Sequence, residues 1–135
     1  MAGETIYFIE DEKDFRDLVM VPLLKKKGYN AVGFPTVDAA LAHMGWSADS
    51  PSLKQNIPTA ILTDHNTKSA RDGFDVLKAA KGADIPCFLL SATEGITQAQ
   101  VFAAGGPRAR FYEKPIMNLA GLIEDLGKAL DGRGR

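Results

Sequence analysis

The sequence predicts a three-layer α/β fold in which one parallel β-sheet is covered by helices on both faces. Five short apolar runs alternate with five segments whose apolar residues recur at helical spacing. Several of these runs are apolar at every position, which is typical of parallel strands buried on both sides. The chain has 135 residues, the length of one domain with a single core. We therefore expect five βα units in one domain.

The first βα unit begins with a strand over residues 6–9, which ends at the acidic Glu10. Asp14 is a candidate N-cap for the first helix, and three lysines followed by Gly28 predict its end. Pro22 lacks a backbone donor, so we expect a kink near Leu18. The apolar stripe expected on this helix comprises Phe15, Leu18, Val19, Pro22 and Leu23.

The second and third units follow the same pattern. Residues 30–34 predict a strand, and residues 37–44 predict a helix entered through Thr36 or Asp38. The polar stretch 45–58 is longer than most connections, and it is either a mobile loop or carries an extra turn. Residues 59–63 predict the third strand, which ends at Asp64. A polar loop over 65–72 and a short helix over 73–81, with Phe74, Leu77 and Ala80 facing inward, complete the third unit.

The last two units are predicted from shorter signals. Residues 85–90 predict the fourth strand and residues 110–112 the fifth. Ser91 follows the fourth strand and opens a sequence typical of a capping box. The helix expected over 95–104 is weakly amphipathic through Ile96, Ala99 and Ala103. The last helix, over 119–130, has a clear stripe made of Leu119, Leu122, Ile123, Leu126 and Leu130.

Composition excludes several classes of protein. Hydrophobic residues make up 45% and charged residues 24%, so the chain is not a disordered tail. The net charge of −1 argues against binding nucleic acid through bulk electrostatics. No apolar stretch approaches the roughly 18 residues that span a bilayer, and an acidic start argues against a secretory signal. The single cysteine, Cys87, favours a reducing compartment, so we expect a cytoplasmic protein without membrane insertion.

The functional signal lies where the predicted strands end. Glu10 and Asp11 follow the first strand, and the third, fourth and fifth strands lead to Asp64, Ser91 and Lys114. In a parallel sheet these ends lie on one edge, where open α/β folds place their ligands. Carboxylates suit Mg²⁺, and a carboxylate can also attack phosphorus to form an aspartyl phosphate while an ammonium neutralises the phosphoryl oxygens.

These motifs, in this order, resemble the receiver domain of two-component response regulators. The resemblance extends from Ile6 to about Leu130 and rests on four segments in the correct order. The segments are Ile9-Glu10-Asp11-Glu12, Leu62-Thr63-Asp64 with Asp72-Gly73-Phe74, Leu89-Leu90-Ser91-Ala92, and Phe111-Tyr112-Glu113-Lys114-Pro115. It implies a doubly wound, flavodoxin-like (βα)5 sandwich with strand order 2-1-3-4-5. Residues 1–131 would form the receiver domain, and residues 132–135 a frayed tail.

The resemblance also implies a role for each site residue. Asp64 would accept a phosphoryl group, and Asp11 with help from Glu10 would hold Mg²⁺ together with Asp64 and the backbone carbonyl of Asn66. Lys114 would pair with the phosphoryl oxygens, and its bond to Pro115 would be cis. Ser91 would be the switch hydroxyl and Tyr112 the aromatic switch.

The implied partners are proteins. A sensor histidine kinase or a histidine phosphotransfer protein would supply the phosphoryl group. The face formed by the fourth helix, fifth strand and fifth helix would change its affinity for a downstream effector protein. The chain would not be an enzyme with a separate substrate, although it would assist its own phosphorylation and dephosphorylation. It would be either a stand-alone receiver or part of a longer regulator.

Two other functions remain open from the sequence. The loop after Asp64 is longer than in most receivers and carries Lys68 and Arg71, so a pseudo-receiver that only scaffolds protein contacts is the main alternative. A phosphohydrolase resembling the haloacid dehalogenase group would also use an aspartate nucleophile. That group carries a second aspartate two residues later, where this chain has Asn66. No glycine-rich phosphate loop follows the first strand.

Four further residues receive structural interpretations. His65 is expected to be solvated, while His43 on a helix and Cys87 in a strand are expected to be structural. Trp46 lies in the long loop, either in a small satellite core or as an exposed contact.

Overall fold

The computed structural model describes residues 3–131, which form five parallel strands and the helices that connect them. The strands are β1 (Thr5–Ile9), β2 (Asn30–Phe34), β3 (Ala60–Asp64), β4 (Cys87–Ser91) and β5 (Ala109–Glu113). The helices are α1 (Val21–Lys26), α2 (Val37–His43), α3 (Gly73–Ala83), α4 (Gln98–Gly105) and α5 (Leu119–Asp131). The sheet order is β2-β1-β3-β4-β5, which confirms the expected doubly wound topology. The frayed tail expected at 132–135 lies outside the described residues.

Two cores lie on opposite faces of the sheet. Alternate residues of β1 face opposite ways, so that Tyr7 and Ile9 share one core with buried residues of α2 and α3, whereas Ile6 and Phe8 share the other with residues of α1 and α5. Helix α4 joins the first core through Val101. The predicted stripe of α5 is confirmed, because four of its five residues are buried and Leu119 packs against them.

The first helix differs from the expectation. A π-helical turn over Phe15–Met20 precedes α1, and the Val21 N–H donates to the carbonyl of Arg16, five residues back. The extra residue in this turn changes which side chains point toward the sheet. Met20 and Leu24 are therefore buried, while Leu18 is 71% exposed. The expected stripe through Leu18, Val19 and Pro22 is therefore wrong, although the irregularity lies where Pro22 predicted one. The side chain of Asp14 makes no cap hydrogen bond, so the expected N-cap there is also wrong.

Helix α4 begins later than predicted. Thr97 and Gln100 form a capping box that starts the helix at Gln98, and the expected capping box at Ser91 is wrong. Because the start moves, Val101 and Gly105 are buried, and the expected inward positions Ala99 and Ala103 are exposed. By contrast, α3 buries Leu77 and Ala80 as predicted and leaves Phe74 partly buried.

The long loop between α2 and β3 contains no further helix or strand and is held by hydrogen bonds. The Lys54 ammonium donates to the carbonyls of Gly45, Ser50 and Ser52 at 3.1, 2.7 and 3.2 Å. The Tyr7 hydroxyl donates to the Asn56 carbonyl at 2.7 Å, which ties the loop to β1. None of the helices between residues 3 and 131 is long and apolar enough to cross a membrane.

Candidate functional site

The carboxyl edge of the sheet gathers the predicted site residues. Asp64 and Ser91 are the last residues of β3 and β4, Glu10 directly follows β1, and Lys114 directly follows β5. Parallel pairing of β3 with β1 and β4, and of β4 with β5, brings these four ends together. The convergence expected from the sequence is therefore present.

Glu10 is the most buried charged group of this edge, at 1% exposure. Its carboxylate accepts a hydrogen bond from the Lys114 ammonium at 2.6 Å and one from the Glu12 N–H at 3.2 Å. Its backbone carbonyl accepts from the Arg16 guanidinium at 2.8 Å. Burial raises the pKa of Glu10, and the negative charge of Asp64 adds to this, while the bond from Lys114 opposes it. The pair with Lys114 is therefore what compensates a charge placed away from water.

Asp64 lies beside the same lysine. One carboxylate oxygen is 3.5 Å from the Lys114 ammonium and accepts the N–H of His65 at 2.8 Å. Burial raises the pKa of Asp64, whereas Lys114 and the His65 N–H lower it and Asp11 raises it. Burial lowers the pKa of Lys114, but its bonds and ion pairs with Glu10 and Asp64 outweigh this and leave the pKa raised. Lys114 is therefore charged at neutral pH and shared between two carboxylates.

Three carboxylates of this edge are close enough to hold one cation. One oxygen each from Glu10, Asp11 and Asp64 lie within 4.8 Å of one another, and this is the only such group among residues 3–131. An all-oxygen donor set is the kind that Mg²⁺ prefers. In the loop that follows, the Asn66 side-chain oxygen accepts the Lys68 N–H at 3.0 Å.

The two candidate switch residues lie at neighbouring strand ends. Ser91 is 2% exposed, and its hydroxyl oxygen accepts the Thr93 N–H at 2.9 Å. The Tyr112 ring lies 5.3 Å from that of Phe88, and its hydroxyl donates to Asp125 of α5 at 2.5 Å. Burial and the bond to Asp125 raise the pKa of Tyr112. The peptide bond between Lys114 and Pro115 is cis, as expected.

The turn after Asp64 is tightly packed. The Gly73 N–H donates to the His65 carbonyl at 2.7 Å, and Asp72 forms a capping box with Asp75 at the start of α3. A Cβ on Gly73 would lie 2.9 Å from the Asp64 carbonyl and 2.3 Å from a methyl carbon of Leu89. Glycine at this position therefore allows α3 to approach the end of β3.

His65 is more constrained than the sequence suggested. Its Nδ1 lies 3.4 Å from the Thr93 hydroxyl, its Nε2 lies 3.6 Å from Asp72, and its ring meets Phe74 edge-on. The expectation of a solvated His65 is thus wrong, because the start of α3 and the loop after β4 contact the ring and leave the side chain 20% exposed. It connects the loop after β3 to the loop after β4.

Sequence reasoning missed how the 65–72 loop is held against α2. Thr67 is 1% exposed, and its hydroxyl accepts the Val37 N–H at 2.8 Å. The Asp38 carboxylate accepts the N–H groups of Ala70 and Arg71 at 3.1 and 2.9 Å. The cluster of Thr and Ser in this loop was the available signal, since such residues commonly cap helices. The loop that follows Asp64 is consequently fixed to the start of α2.

Trp46 joins the long loop to the same region. It packs partly buried against the core shared with α2, and the Arg71 guanidinium lies 5.1 Å from the centre of its ring. Cys87 is buried in β4 as expected, and burial raises its thiol pKa. His43 is exposed, and its ring lies 5.8 Å from that of Tyr7 and 5.3 Å from that of Phe34.

Several solved structures similar to this chain are response regulator receivers. The receiver domain of Francisella response regulator 1452 has a TM-score of 0.75 and 17% identity, covering 96% of this chain and 98% of that chain. A response regulator receiver protein from Sinorhizobium medicae WSM419 has a TM-score of 0.76 and 20% identity, covering 96% of both. A CheY-like receiver domain protein from Methanospirillum hungatei JF-1 has a TM-score of 0.74 and 18% identity, covering 95% and 94%.

Matching chains can also be longer than this one. NtrX from Brucella abortus is 26% identical with a TM-score of 0.70, and the alignment covers 97% of this chain but 26% of NtrX. No family model and no curated protein matches the chain in sequence. The structural likeness, over nearly the whole chain, shows that the protein has the fold of a response regulator receiver domain.

Proposed function

We propose that this protein is a phosphorylation-activated signalling switch in which Asp64 accepts a phosphoryl group from a histidine kinase or a histidine phosphotransfer protein. The observation that carries the proposal is the position of the Lys114 ammonium, 3.5 Å from Asp64 and 2.6 Å from the buried Glu10. The Lys114 ammonium, the Asp64 carboxylate and the acidic cluster lie together at the sheet edge where α/β folds bind ligands, and this supports the proposal. The receiver fold supports a role in signalling.

The transfer forms one bond and breaks one. An oxygen of ionised Asp64 attacks phosphorus, and the phosphorus–nitrogen bond of the donor phosphohistidine breaks. The imidazole leaves with the electron pair of that bond and takes a proton from solvent. Lys114 neutralises the equatorial oxygens during this step, because its ammonium already lies beside Asp64. The His65 N–H fixes the orientation of the carboxylate.

Mg²⁺ would be held by Glu10, Asp11, Asp64 and the Asn66 carbonyl, and when bound it would neutralise phosphoryl charge. Glu10 also keeps Lys114 in reach of Asp64, since the 2.6 Å bond anchors the ammonium between the two carboxylates. The chain thus assists its own phosphorylation and dephosphorylation without acting as an enzyme on a separate substrate.

Phosphorylation would change the surface formed by α4, β5 and α5. It replaces the single negative charge of the Asp64 carboxylate by a phosphoryl group of about −1.5 to −2, so the charge beside Lys114 becomes more negative by about 0.5 to 1. Ser91 would exchange its bond with the Thr93 N–H for one to a phosphoryl oxygen, and Tyr112 would respond by changing its contact with Asp125. The face made by α4, β5 and α5 would then bind a downstream effector protein with altered affinity. We place this protein in the cytoplasm, without direct binding of nucleic acid or insertion into a membrane.

The proposal is tested by phosphorylation with a radiolabelled small-molecule phosphodonor and Mg²⁺. We expect Asp64→Asn not to be labelled and Asp84→Asn to be labelled as fully as the parent. Asp84 is a suitable control because its side chain is 90% exposed and its left-handed backbone suits asparagine. Undiminished labelling of Asp64→Asn would show that another residue is the acceptor. Transfer from a panel of histidine kinases and phosphotransfer domains then identifies the donor.

A pseudo-receiver that acts only as a protein scaffold is the second candidate. The loop after Asp64 favours it, because Thr67 and Asp38 fix that loop to α2 and Arg71 is engaged with Trp46. Titration with Mg²⁺ and beryllofluoride, a phosphoryl mimic, separates the two functions. Trp46 is the only tryptophan and contacts the loop after Asp64, so its fluorescence reports on this loop. Binding with a spectral change supports the switch, whereas no binding supports the scaffold.

A further inference from the structure

The loop between β4 and α4, over residues 92–97, has few contacts with the rest of the chain. Five of its six residues are exposed, and the sixth, Ile96, packs against a core. Among residues 3–131, the segment 92–96 makes two hydrogen bonds, and both are made by Thr93. Thr93 is therefore the residue through which the start of this loop is held.

One of these bonds leads to Ser91, the candidate switch residue. The Thr93 N–H donates to the Ser91 hydroxyl oxygen at 2.9 Å. In the proposed switch, Ser91 gives up this bond when it turns toward a phosphoryl oxygen. A contact that keeps Thr93 in its present position therefore opposes the switch.

The other bond leads to His65, which directly follows the candidate phosphoacceptor. Nδ1 of His65 lies 3.4 Å from the Thr93 hydroxyl. A hydroxyl can donate to or accept from an imidazole nitrogen, so this bond forms in either tautomer of the neutral ring. The backbone N–H of His65 donates to the Asp64 carboxylate at 2.8 Å and to the Leu90 carbonyl at 3.2 Å. These bonds fix His65 beside the end of β4, within reach of Thr93.

The start of α3 fixes the orientation of the His65 ring. The ring of Phe74 meets it edge-on with the centroids 5.4 Å apart, and an Asp72 oxygen lies 3.6 Å from its Nε2. Both residues are themselves ordered, because the Asp72 carboxylate accepts the N–H groups of Phe74 and Asp75. The ring therefore presents Nδ1 to Thr93 from a rigid support.

We propose that His65 is a positioning residue that, through Thr93, holds Ser91 in its unphosphorylated position and so sets how strongly the switch responds to a phosphoryl group. We call this connection the His65–Thr93–Ser91 relay. Its role rests on the proposed switch function and concerns the regulation of that site. Because the bond from His65 exists only while Thr93 keeps its position, its loss is part of the cost of switching. For a partly exposed hydrogen bond, this corresponds to about a two- to fivefold change in the equilibrium.

The test is titration of the full chain with beryllofluoride in the presence of Mg²⁺. Two-dimensional NMR measures the binding, because the amide signals of Ser91 and Thr93 report directly on the switch residue and its partner. His65→Phe keeps a ring against Phe74 but has no hydrogen-bonding atom, and Thr93→Val keeps the branched shape without the hydroxyl. We expect each variant to bind beryllofluoride about two- to fivefold more tightly than the parent. The double variant should bind no more tightly than either single variant, because both changes remove the same bond.

Two further variants serve as controls. His65→Asn keeps an amide at the place of Nδ1 and should bind beryllofluoride with close to the parent affinity. His43→Phe makes the same change at the only other histidine, which is exposed on α2, and should also leave the affinity unchanged. A residue that only supports the fold would weaken binding when replaced, so tighter binding identifies the relay. Urea denaturation shows that each variant is folded.

Three results would overturn the relay: unchanged or weaker binding of beryllofluoride by His65→Phe, additive effects of His65→Phe and Thr93→Val, or equal tightening in His65→Asn and His65→Phe. The phosphorylation site is tested in the same titration with Asp64→Asn. Binding by the parent that is lost in Asp64→Asn but unchanged in His65→Phe overturns the relay alone. No binding by the parent overturns the proposed switch, and the relay with it.

Discussion

Replacing Lys114 by alanine tests whether this lysine compensates the buried charge of Glu10. The Glu10 side chain is 2% exposed, and the 2.6 Å pair would contribute about 6 kcal/mol of attraction at an effective dielectric constant of about 20. The variant avoids most of this loss by protonating Glu10. From an ordinary pKa of 4.5, protonation at about pH 7 costs at most about 3.4 kcal/mol, at 1.36 kcal/mol per unit. We therefore expect Lys114→Ala to lose about 3 kcal/mol of stability at neutral pH.

The loss of stability in Lys114→Ala is expected to depend on pH. A carboxyl group whose folded pKa is raised stabilises the fold below its unfolded pKa, and this contribution disappears as pH rises through the folded pKa. At about pH 5 the cost of protonating Glu10 falls to about 0.7 kcal/mol, so the variant should lie close to the parent. The unfolding free energies of variant and parent should consequently diverge as pH rises from about 5 to about 7.

The assay is urea denaturation of both proteins in metal-free buffer across this pH range. Lys128→Ala is the control, because its ion pair with Glu124 is 73% and 71% exposed and should be worth less than about 0.5 kcal/mol at every pH. The double variant Glu10→Gln/Lys114→Ala should recover much of the stability, since it removes the charge of Glu10 together with its partner and leaves only the more exposed Asp64 without the ammonium. A loss that is independent of pH, or equal to that of Lys128→Ala, would refute the reasoning.

Three further predictions concern the metal, the β3–α3 turn and the 65–72 loop. Mg²⁺ should raise the melting temperature of the parent but not of Asp11→Ala, measured by differential scanning fluorimetry. Gly73→Ala should cost more than about 2 kcal/mol by overpacking, whereas Gly82→Ala should stabilise by about 0.5 kcal/mol, because no atom lies within 4 Å of its added Cβ. Thr67→Val should cost about 1–3 kcal/mol in urea denaturation, because the buried Val37 N–H loses its acceptor; a neutral effect would show that this bond does not hold the loop.

The strands and the site residues at their ends were predictable because several signals agreed. Runs apolar on both faces identify buried parallel strands, and the rule for strand ends places Glu10, Asp64 and Lys114 on one edge. Helix α5 was equally clear, since its stripe has a regular helical period. In these elements, the local pattern and the tertiary packing require the same residues to be buried.

The loops around the site were not predictable in the same way. The contacts of His65 with Asp72 and Thr93, and of Thr67 with Val37, join residues up to about thirty positions apart. Nothing in the local pattern identifies such partners, because side-chain hydrogen bonds in loops have no periodicity. The start of α4 shows the same difficulty, since both Ser91 and Thr97 have sequences suited to capping and only one is used.

The sequence interpretation is least accurate at the π-helical turn, and this turn also contacts the site. Its extra residue buries Met20 and leaves Arg16 with its guanidinium on the Glu10 carbonyl, at 2.8 Å. The stem of Arg16 lies over Gly33 of β2, where an added Cβ would come within 3.0 Å of two of its carbons. A regular helix would retain the apolar period but change which side chain faces the end of β1. The hydrogen bond from Arg16 to the Glu10 carbonyl therefore comes from an irregular turn that hydrophobic periodicity cannot reveal.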